Sequence, residues 1–338
     1  MPATLSTVAA VAGVSTSTAS RALSGHPAVL PATRARVEAA AAAMHYQPNR
    51  MASALRTRRT GLLGLVVNNL RTSTFHTIAE TLQAWAAEQD HQVLVCTTGG
   101  DPVREARFLE TAAAHRFDGV VVAGSGANAE LINALVRDGR AVVTMNREVP
   151  GSLAPWVIAD YASAGRLATE HLLDLGHTRI AAIEGPPEVT SGRLHHEGFV
   201  SAMRNAGVAV DGELVHRGPF TAAFGRQAME ALLSVDELPT ALLVSNHEAS
   251  FGALPVVSGR GVRVPEHLSV VVTEDEPFFG WWGATSLTIV DNRAEVLAQR
   301  AAAVLLDQLE GRRPALPDDG GELVAPVLVE RASTAPPR

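Results

Sequence analysis

The chain has 338 residues, 46% of them apolar, which excludes a disordered chain and a small disulfide-stapled scaffold. All 28 cationic residues are arginine, and they are unevenly distributed. Residues 1–60 carry seven arginines and one acid, which gives +6, whereas residues 61–338 carry 21 arginines and 34 acids, which gives −13. A basic segment ahead of an acidic body favours a polyanion such as nucleic acid as a partner of the N-terminal segment.

Cysteine usage and apolar runs indicate the compartment. Cys96 is the only cysteine, so it cannot form an intramolecular disulfide, and no cysteine or histidine spacing typical of a metal site surrounds it. No apolar run reaches the roughly 18 residues of a membrane-spanning helix, and no signal-peptide pattern opens the chain. We therefore predict a cytoplasmic protein with no membrane partner, no metal and no cofactor.

Residues 1–46 contain no strand-like run and predict three short helices. After the first helix, Gly13 permits a tight reversal, and Ser15 can cap a second helix. A third helix runs from Pro31 to about Met44, and it lacks a serine or threonine cap. This spacing is that of a helix-turn-helix, which presents its second helix to the major groove of DNA.

The predicted second helix is rich in polar side chains. Its best base-reading candidate is Arg21, because a guanidinium can pair bidentately with guanine O6 and N7, worth about 1–3 kcal/mol of discrimination. The alternative is that its serines and threonines cap an ordinary surface helix and that Arg21 is a solvated charge.

From Gly61 onward, short apolar runs alternate with helical patterns, which favours parallel sheets covered on both faces. The predicted strands are Leu62–Val67, Val93–Thr97, Gly119–Ala123, Ala141–Met145, Arg179–Glu184, Ala241–Ser245, Leu268–Thr273 and Ser286–Val290. The predicted helices are Phe75–Glu88, Val103–Ala114, Leu131–Val136, Gly165–Leu175, Gly198–Ala206, Ala222–Leu233 and Glu295–Glu310. About eight such units need either one closed barrel or two doubly wound lobes, and periodicity does not choose between them.

Several spaced motifs run along the chain: Thr4-Leu5-x2-Val8-Ala9-x2-Ala12-Gly13-Val14-Ser15, Tyr46-x-Pro48-Asn49-x2-Ala52-x2-Leu55, Asp101-Pro102, Phe117-Asp118-Gly119 and Leu175-Gly176-His177-x-Arg179. Together they closely resemble the motifs of the LacI/GalR family of repressors. The resemblance implies an α/β fold of two doubly wound parallel-sheet lobes, like a periplasmic binding protein, preceded by a small all-α helix-turn-helix domain.

The resemblance also implies a division of the chain, with three crossovers between lobes near Asp160, Val290 and Gly321. The expected parts are a helix-turn-helix domain (1–46), a hinge helix or linker (47–60), a first lobe (61–160 plus 291–320), a second lobe (161–290 plus 321–330) and a tail (331–338).

By the same resemblance the protein is a sequence-specific transcriptional repressor, a homodimer or dimer of dimers on a near-palindromic operator. Leu55 is expected to insert into the minor groove, where an apolar wedge unstacks a base step and kinks the duplex. Five arginines are expected to meet phosphates or the groove wall, and they are Arg34, Arg50, Arg56, Arg58 and Arg59. The expected DNA-binding residues are Thr4, Leu5, Ser6, Ser15, Thr16, Ser17, Thr18, Ser20, Arg21, Thr33, Arg34, Tyr46, Asn49, Arg50, Ala52, Leu55 and Arg56.

The resemblance places a small-molecule effector, a sugar or related metabolite, between the lobes. The expected contacts are Asn69, Arg71, Thr74, Phe75, Ser125, Asn146, Arg147, Ser191, His195, Phe220, Asn246, His247 and Glu274. Relatives commonly have arginine where His195 stands, and imidazole removes a fixed anion clamp. A metal held by His195, His247 and Glu274 is the less favoured alternative to a polar wall around an organic ligand.

Two other functions compete with this interpretation. A solute-binding receptor shares the two-lobed architecture, but the missing export signal and the first 60 residues argue against it. An enzyme is disfavoured because the chain has no nucleophile elbow and no phosphate-binding glycine loop. The aromatic residues around Glu274, Phe278, Phe279, Trp281 and Trp282, could wall the cleft, line a dimer surface or simply pack.

Overall fold

The structure is a computed structural model that describes residues 4–46, 59–274, 276, 279–280, 282, 285–312, 314, 316 and 320–338. The chain divides into two compact units, Met1–Thr60 and Gly61–Arg338. Among the residues described, no helix combines the length and apolarity needed to cross a membrane.

Within residues 4–46 the N-terminal unit contains the three expected helices, α1 (Leu5–Val11), α2 (Thr16–Leu23) and α3 (Pro31–Ala43). Gly13 reverses the chain with a φ of +64°, which glycine adopts without steric cost. The Ser15 hydroxyl accepts a hydrogen bond from the Thr18 N–H (3.1 Å) and so caps α2. The expected lack of a side-chain cap on α3 is confirmed, because Leu30 stands at its N-cap.

Within residues 4–46, the buried core of this unit consists of small side chains, and larger ones such as Leu5 and Tyr46 pack against it partly buried. Its buried residues are Val8, Ala9, Ala12, Ala19, Ala22, Val37, Ala40 and Ala41. Small residues let three short helices approach closely, but they remove little apolar surface from water.

The second unit alternates strands and helices. Its strands are β1 (Leu62–Val67), β2 (Gln92–Thr97), β3 (Gly119–Ala123), β4 (Ala141–Met145), β5 (Trp156–Ala159), β6 (Ile180–Glu184), β7 (Val215–Arg217), β8 (Ala241–Val244), β9 (Ser269–Thr273), β10 (Thr288–Asp291), β11 (Gly321–Val324) and β12 (Val327–Val329). Its α-helices are α4 (Ser73–Glu88), α5 (Pro102–Ala114), α6 (Ala129–Arg137), α7 (Tyr161–Asp174), α8 (Thr190–Asn205), α9 (Ala222–Leu232), α10 (His247–Gly259) and α11 (Ala294–Leu309).

The strands form two six-stranded sheets, each the centre of one lobe. The first sheet has the order β11-β5-β4-β3-β1-β2 and is parallel throughout. The second has the order β12-β10-β9-β8-β6-β7 and is parallel except for the edge pair β10 and β12. Helices cover both faces of each sheet, so the two-lobed doubly wound fold is confirmed.

The third crossover between lobes differs from the expectation. Strand β11 (321–324) pairs in parallel with β5 and therefore belongs to the first lobe, so the chain crosses after Val324 and not at Gly321. Gly321 lies against the indole of Trp156, where a Cβ would collide with the ring. Glycine thus lets the strand close onto its neighbour.

Residues 331–338 are not a free tail, because they pack into the second lobe. The Thr288 N–H donates to the Ser333 hydroxyl (2.7 Å), which donates in turn to the Val270 carbonyl (2.6 Å). The Val270 N–H donates to the Ser333 carbonyl (2.8 Å). These bonds join the segment to two strands of the second sheet.

Among the α-helices and strands of the described residues, five were not predicted from the sequence: β5, β7, α10, β11 and β12. The strands have only three or four residues each, too few for a periodic pattern. Helix α10 contains Pro255, which removes a backbone donor and normally argues against a helix interior.

Candidate ligand cavity and nucleic-acid interface

A cavity of about 300 Å³ lies between the two lobes at the carboxyl ends of their strands. Asn69 follows β1, and Asn146 with Arg147 follows β4, all in the first lobe. Asn246 follows β8, and Glu274 follows β9, in the second lobe. Open α/β sheets bind ligands at this edge, and the volume lies at the lower end of the range for small-molecule sites.

Twelve of the thirteen expected effector contacts line this one cavity: Asn69, Arg71, Thr74, Phe75, Asn146, Arg147, Ser191, His195, Phe220, Asn246, His247 and Glu274. Ser125 does not line it. Its N–H and hydroxyl both donate to the fully buried carboxylate of Glu105 (2.6 and 2.9 Å). Because a buried carboxylate needs hydrogen-bond donors, the local fold uses those of Ser125.

His247 and Glu274 form a buried pair in which His247 Nδ1 meets Glu274 Oε2. Burial opposes the charged imidazolium, but the carboxylate of Glu274, with Glu276 and Glu248 nearby, raises the pKa of His247 above its ordinary value. Burial likewise opposes the charged form of Glu274, yet His247 lowers the pKa of this carboxyl. The pair thus satisfies its own charges inside the cavity wall.

His195 presents a neutral imidazole to the cavity. Its side chain is only 2% exposed and its ring packs against Tyr161 with the ring centroids 5.6 Å apart. Burial lowers the pKa of His195 to about 4, with Glu274 opposing this effect. Within the described part of the chain, its Nδ1 atom has no hydrogen-bond partner, so it can accept from or donate to a ligand.

Three further buried atoms at the cavity, Asn68 Oδ1, Ser245 Oγ and Asn292 Oδ1, lack a partner among the residues that the structure describes. A buried polar atom without a partner is costly, so these atoms favour a ligand rich in hydroxyl or amide groups. The aromatic side chains of Phe75 and Phe220 provide apolar surface from opposite lobes.

Polar contacts cross the cleft directly. The Asn69 side-chain amide donates to Glu248 Oε1 (3.1 Å), and the Arg71 guanidinium lies 3.8 Å from the same oxygen. The Thr74 hydroxyl hydrogen-bonds Glu274, which helps to lower the pKa of that carboxyl. Side chains of the second lobe therefore bind the segment of the first lobe that begins at Asn69.

Sequence reasoning missed eight lining residues: Asn68, Gly99, Gly100, Tyr161, Thr221, Ser245, Glu248 and Asn292. Several of them directly follow a strand, as Ser245 follows β8 and Asn292 follows β10. Their position after a strand was therefore the available signal. Tyr161 could have been found as the first residue after the expected crossover at Asp160.

The metal alternative finds no support in the geometry. Within the described ranges, no group of three or more histidine, cysteine, aspartate or glutamate side chains could hold an ion. Of the aromatic residues, Phe279 is buried in the second lobe beside Phe251, with ring centroids 6.4 Å apart, and Trp282 packs against the same core. Phe278 and Trp281 lie outside the described residues.

In the N-terminal unit, α2 presents the expected polar surface. Thr16, Ser17 and Arg21 are exposed, as are the capping residue Ser15 and the α1 residues Thr4 and Ser6. Ala19 and Ala22 face inward and are fully buried. The first turn of α2 therefore projects side chains and backbone N–H groups outward, an arrangement that suits a phosphate and a groove.

Several other residues expected to contact DNA are partly buried or hydrogen-bonded within their own unit. Leu5 and Tyr46 pack against the small core. Thr18, Ser20 and Thr33 are half-buried. The Arg34 guanidinium donates to the His26 carbonyl (2.9 Å), which holds it against its own unit. Asn49, Arg50, Ala52, Leu55, Arg56 and Arg58 lie outside the described residues.

Two known families match the chain. Residues 4–49 match the family described as bacterial regulatory proteins, lacI family. Residues 169–334 match the periplasmic binding protein-like domain.

The similar curated proteins include the HTH-type transcriptional repressor CytR of Escherichia coli (strain K12), 30% identical over 332 residues, which cover 98% of this chain and 96% of that protein. The HTH-type transcriptional repressor PurR of Haemophilus influenzae (strain PittEE) is 28% identical over 339 residues, which cover 98% of each chain.

Similar solved structures include the lac repressor dimer bound to operator and the anti-inducer ONPF, with a TM-score of 0.85 and 26% identity over 99% of this chain and all of that one. The complex of the transcriptional regulator CelR with cellobiose has a TM-score of 0.71 and 29% identity over 98% of this chain and 99% of that one.

Proposed function

Since this chain belongs to the lacI family of bacterial regulatory proteins, we propose that α2 and the cleft between the lobes are the two working sites of one repressor. The protein binds double-stranded operator DNA, and a small molecule in the cleft controls that binding. This proposal rests on two features that occur in one chain. The polar face of α2 is exposed, and the cavity between the lobes contains buried polar atoms that have no hydrogen-bond partner among the described residues.

On DNA, the first turn of α2 enters the major groove. Arg21 reads a guanine through two hydrogen bonds, whereas Thr16 and Ser17 contact phosphates or base edges. Arg50 and Arg56 add salt-dependent affinity, and Leu55 wedges into the minor groove. Two copies of the chain, as a homodimer or within a dimer of dimers, present two such units to a near-palindromic operator, in the cytoplasm where the chromosome lies.

The effector is a sugar or a related metabolite. An imidazole that burial keeps neutral at position 195 offers no fixed positive charge to an anion. The carboxylates of Glu248 and Glu274 line the same cavity together with the guanidiniums of Arg71 and Arg147, so the wall carries both signs of charge. The unpartnered Ser245 and Asn292 atoms suit ligand hydroxyls, and Phe75 and Phe220 suit the apolar face of a ring.

The two sites are coupled through the relative position of the lobes. An effector that binds one arrangement of the lobes more tightly shifts the population toward it, and operator affinity changes by the same coupling free energy. The coupling free energy has opposite signs in the two modes of control: in induction the effector weakens operator binding, and in corepression it strengthens it.

The test is selection of operator sequences from a random duplex library by the full chain, followed by binding measurements on the selected site. Arg21→Ala is expected to weaken binding to that site by about 5- to 150-fold and to relax the preference at one base pair. Arg36→Ala, an exposed arginine on α3, is the matched control and should change only the salt-dependent part of affinity. If no sequence is enriched, the protein is a two-lobed receptor and not a repressor.

A further inference from the structure

The first turn of helix α4 forms part of the cavity wall in the first lobe. Its own N-cap residue does not cap it. Thr72 stands at its N-cap with the usual extended backbone, yet its side chain makes no capping hydrogen bond. This threonine is 2% exposed, and its hydroxyl oxygen has no partner within the described part of the chain. The first N–H groups of a helix have no partner within the helix, and a threonine at this position normally satisfies one of them.

A carboxylate from the other lobe takes this place. The Ser73 N–H, at the first position of α4, donates to Glu276 Oε1 at 2.9 Å. Glu276 follows β9 in the second lobe and is only 7% exposed. A negative charge at a helix N-terminus is favourable because the helix dipole places partial positive charge there.

The capped turn is the part of α4 that faces the cavity. Thr74 and Phe75 occupy its next two positions, and both line the cavity. Thr74 hydrogen-bonds Glu274, two residues before Glu276. A third carboxylate, Glu248, receives the Asn69 amide just before the helix. Three acidic side chains of the second lobe therefore bind one short segment of the first lobe.

We propose that Glu276 is a positioning residue, which caps α4 across the lobe boundary and thereby holds both the cleft closed and the Thr74–Phe75 turn in place before an effector binds. The proposal rests on the proposed function only for the presence of an effector in the cavity. Closure and helix capping are one event, because separating the lobes removes the carboxylate from the helix end. The apparent affinity for an effector is the affinity of the closed form multiplied by the fraction of closed molecules, so a cap that increases this fraction raises the apparent affinity.

The first test uses the effector-free full chain and hydrogen–deuterium exchange of peptides that cover residues 70–80. Glu276→Gln keeps the shape but removes the charge, and we expect exchange in the first turn of α4 to rise roughly 2- to 30-fold. Small-angle scattering should show a larger radius of gyration. The matched control is Glu295→Gln, because Glu295 is an exposed acid that lines one surface groove together with Ser73 and Glu276. This control should change neither the exchange rate nor the radius of gyration. Exchange equal to that of the unaltered chain, or an equal rise in Glu295→Gln, overturns the proposal.

A second variant removes the donor and leaves the carboxylate. Ser73→Pro deletes the N–H, and proline suits the first position of a helix after an extended residue such as Thr72. This variant should open the cleft as Glu276→Gln does, and the double variant should open it no further. Fully additive effects would show two unrelated changes and overturn the cross-lobe cap.

The two proposals fail separately. Operator binding can be absent while the exchange result stands, which would reject the repressor and keep the cap. Unchanged exchange with intact operator binding would reject the cap and keep the repressor.

Discussion

The N-terminal unit and the two lobes bury apolar residues on very different scales. Among the described residues, the buried core of the N-terminal unit is valine and alanine, with larger side chains such as Leu5 and Tyr46 only partly buried around it, whereas the lobe cores contain phenylalanine, leucine, isoleucine and methionine on both faces of a sheet. Because apolar burial is the main favourable term in folding, the unit that reads DNA is marginally stable and the lobes that hold the cavity are robust. Most of the folding stability therefore lies in the two lobes that hold the cavity.

The largest effect is expected inside a lobe. Phe199 on α8 is fully buried, and Phe199→Ala should lower the free energy of unfolding of the lobes by about 3–5 kcal/mol. All four tryptophans lie after residue 61, so urea unfolding followed by tryptophan fluorescence reports on this unit alone. Val103→Ala, at an exposed position, is the control. A loss below 1 kcal/mol would contradict the comparison.

Acid should also destabilise the lobes selectively, through His195. Burial lowers the pKa of His195 to about 4, whereas the unfolded chain titrates near pH 6.5. As the pH falls from about 6.5 to 4, the unfolded state gains a proton that the folded state excludes, so stability falls by a few kcal/mol and then levels off. His195→Gln should lose less stability over this window, measured as Tm against pH. His76→Gln, an exposed histidine, should behave as the unaltered chain does.

In the N-terminal unit a smaller loss of unfolding free energy should be enough to unfold the whole unit. Val37→Ala deletes fully buried methyl groups and should cost about 2 kcal/mol, enough to unfold a marginal unit. Helical circular dichroism should fall and operator binding should be lost, while the tryptophan transition stays in place. An accompanying shift of that transition would mean that the two units unfold together.

The smallest expected effect is a gain in the stability of the N-terminal unit. Leu30 is 72% exposed at the N-cap of α3 and makes no capping bond, so Leu30→Ser should add about 1 kcal/mol to the N-terminal unit. Combined with Val37→Ala it should restore part of the lost helical signal. Leu238→Ser, an exposed leucine in the second unit, is the control and should restore none.

Much of the fold and the cavity could be predicted, because glycine turns, capping serines and apolar runs act locally and because the family motifs span the chain. The failures have long-range causes. Ser125 was misplaced because its donors are taken by Glu105, twenty residues away in sequence. The third crossover was misplaced because β11 depends on a close approach of Gly321 to Trp156. The hinge residues, including Leu55, stay predictions.

The position of the two late edge strands has a consequence for biosynthesis. Strands β11 and β12 complete the two sheets from residues 321–329, whereas the helices of the N-terminal unit are synthesised first and belong to a separate compact unit. Domains fold in the order in which they leave the ribosome. A nascent chain can thus expose a formed DNA-reading helix well before it has an intact sensor, and a product truncated before β11 would occupy half-sites without responding to metabolite.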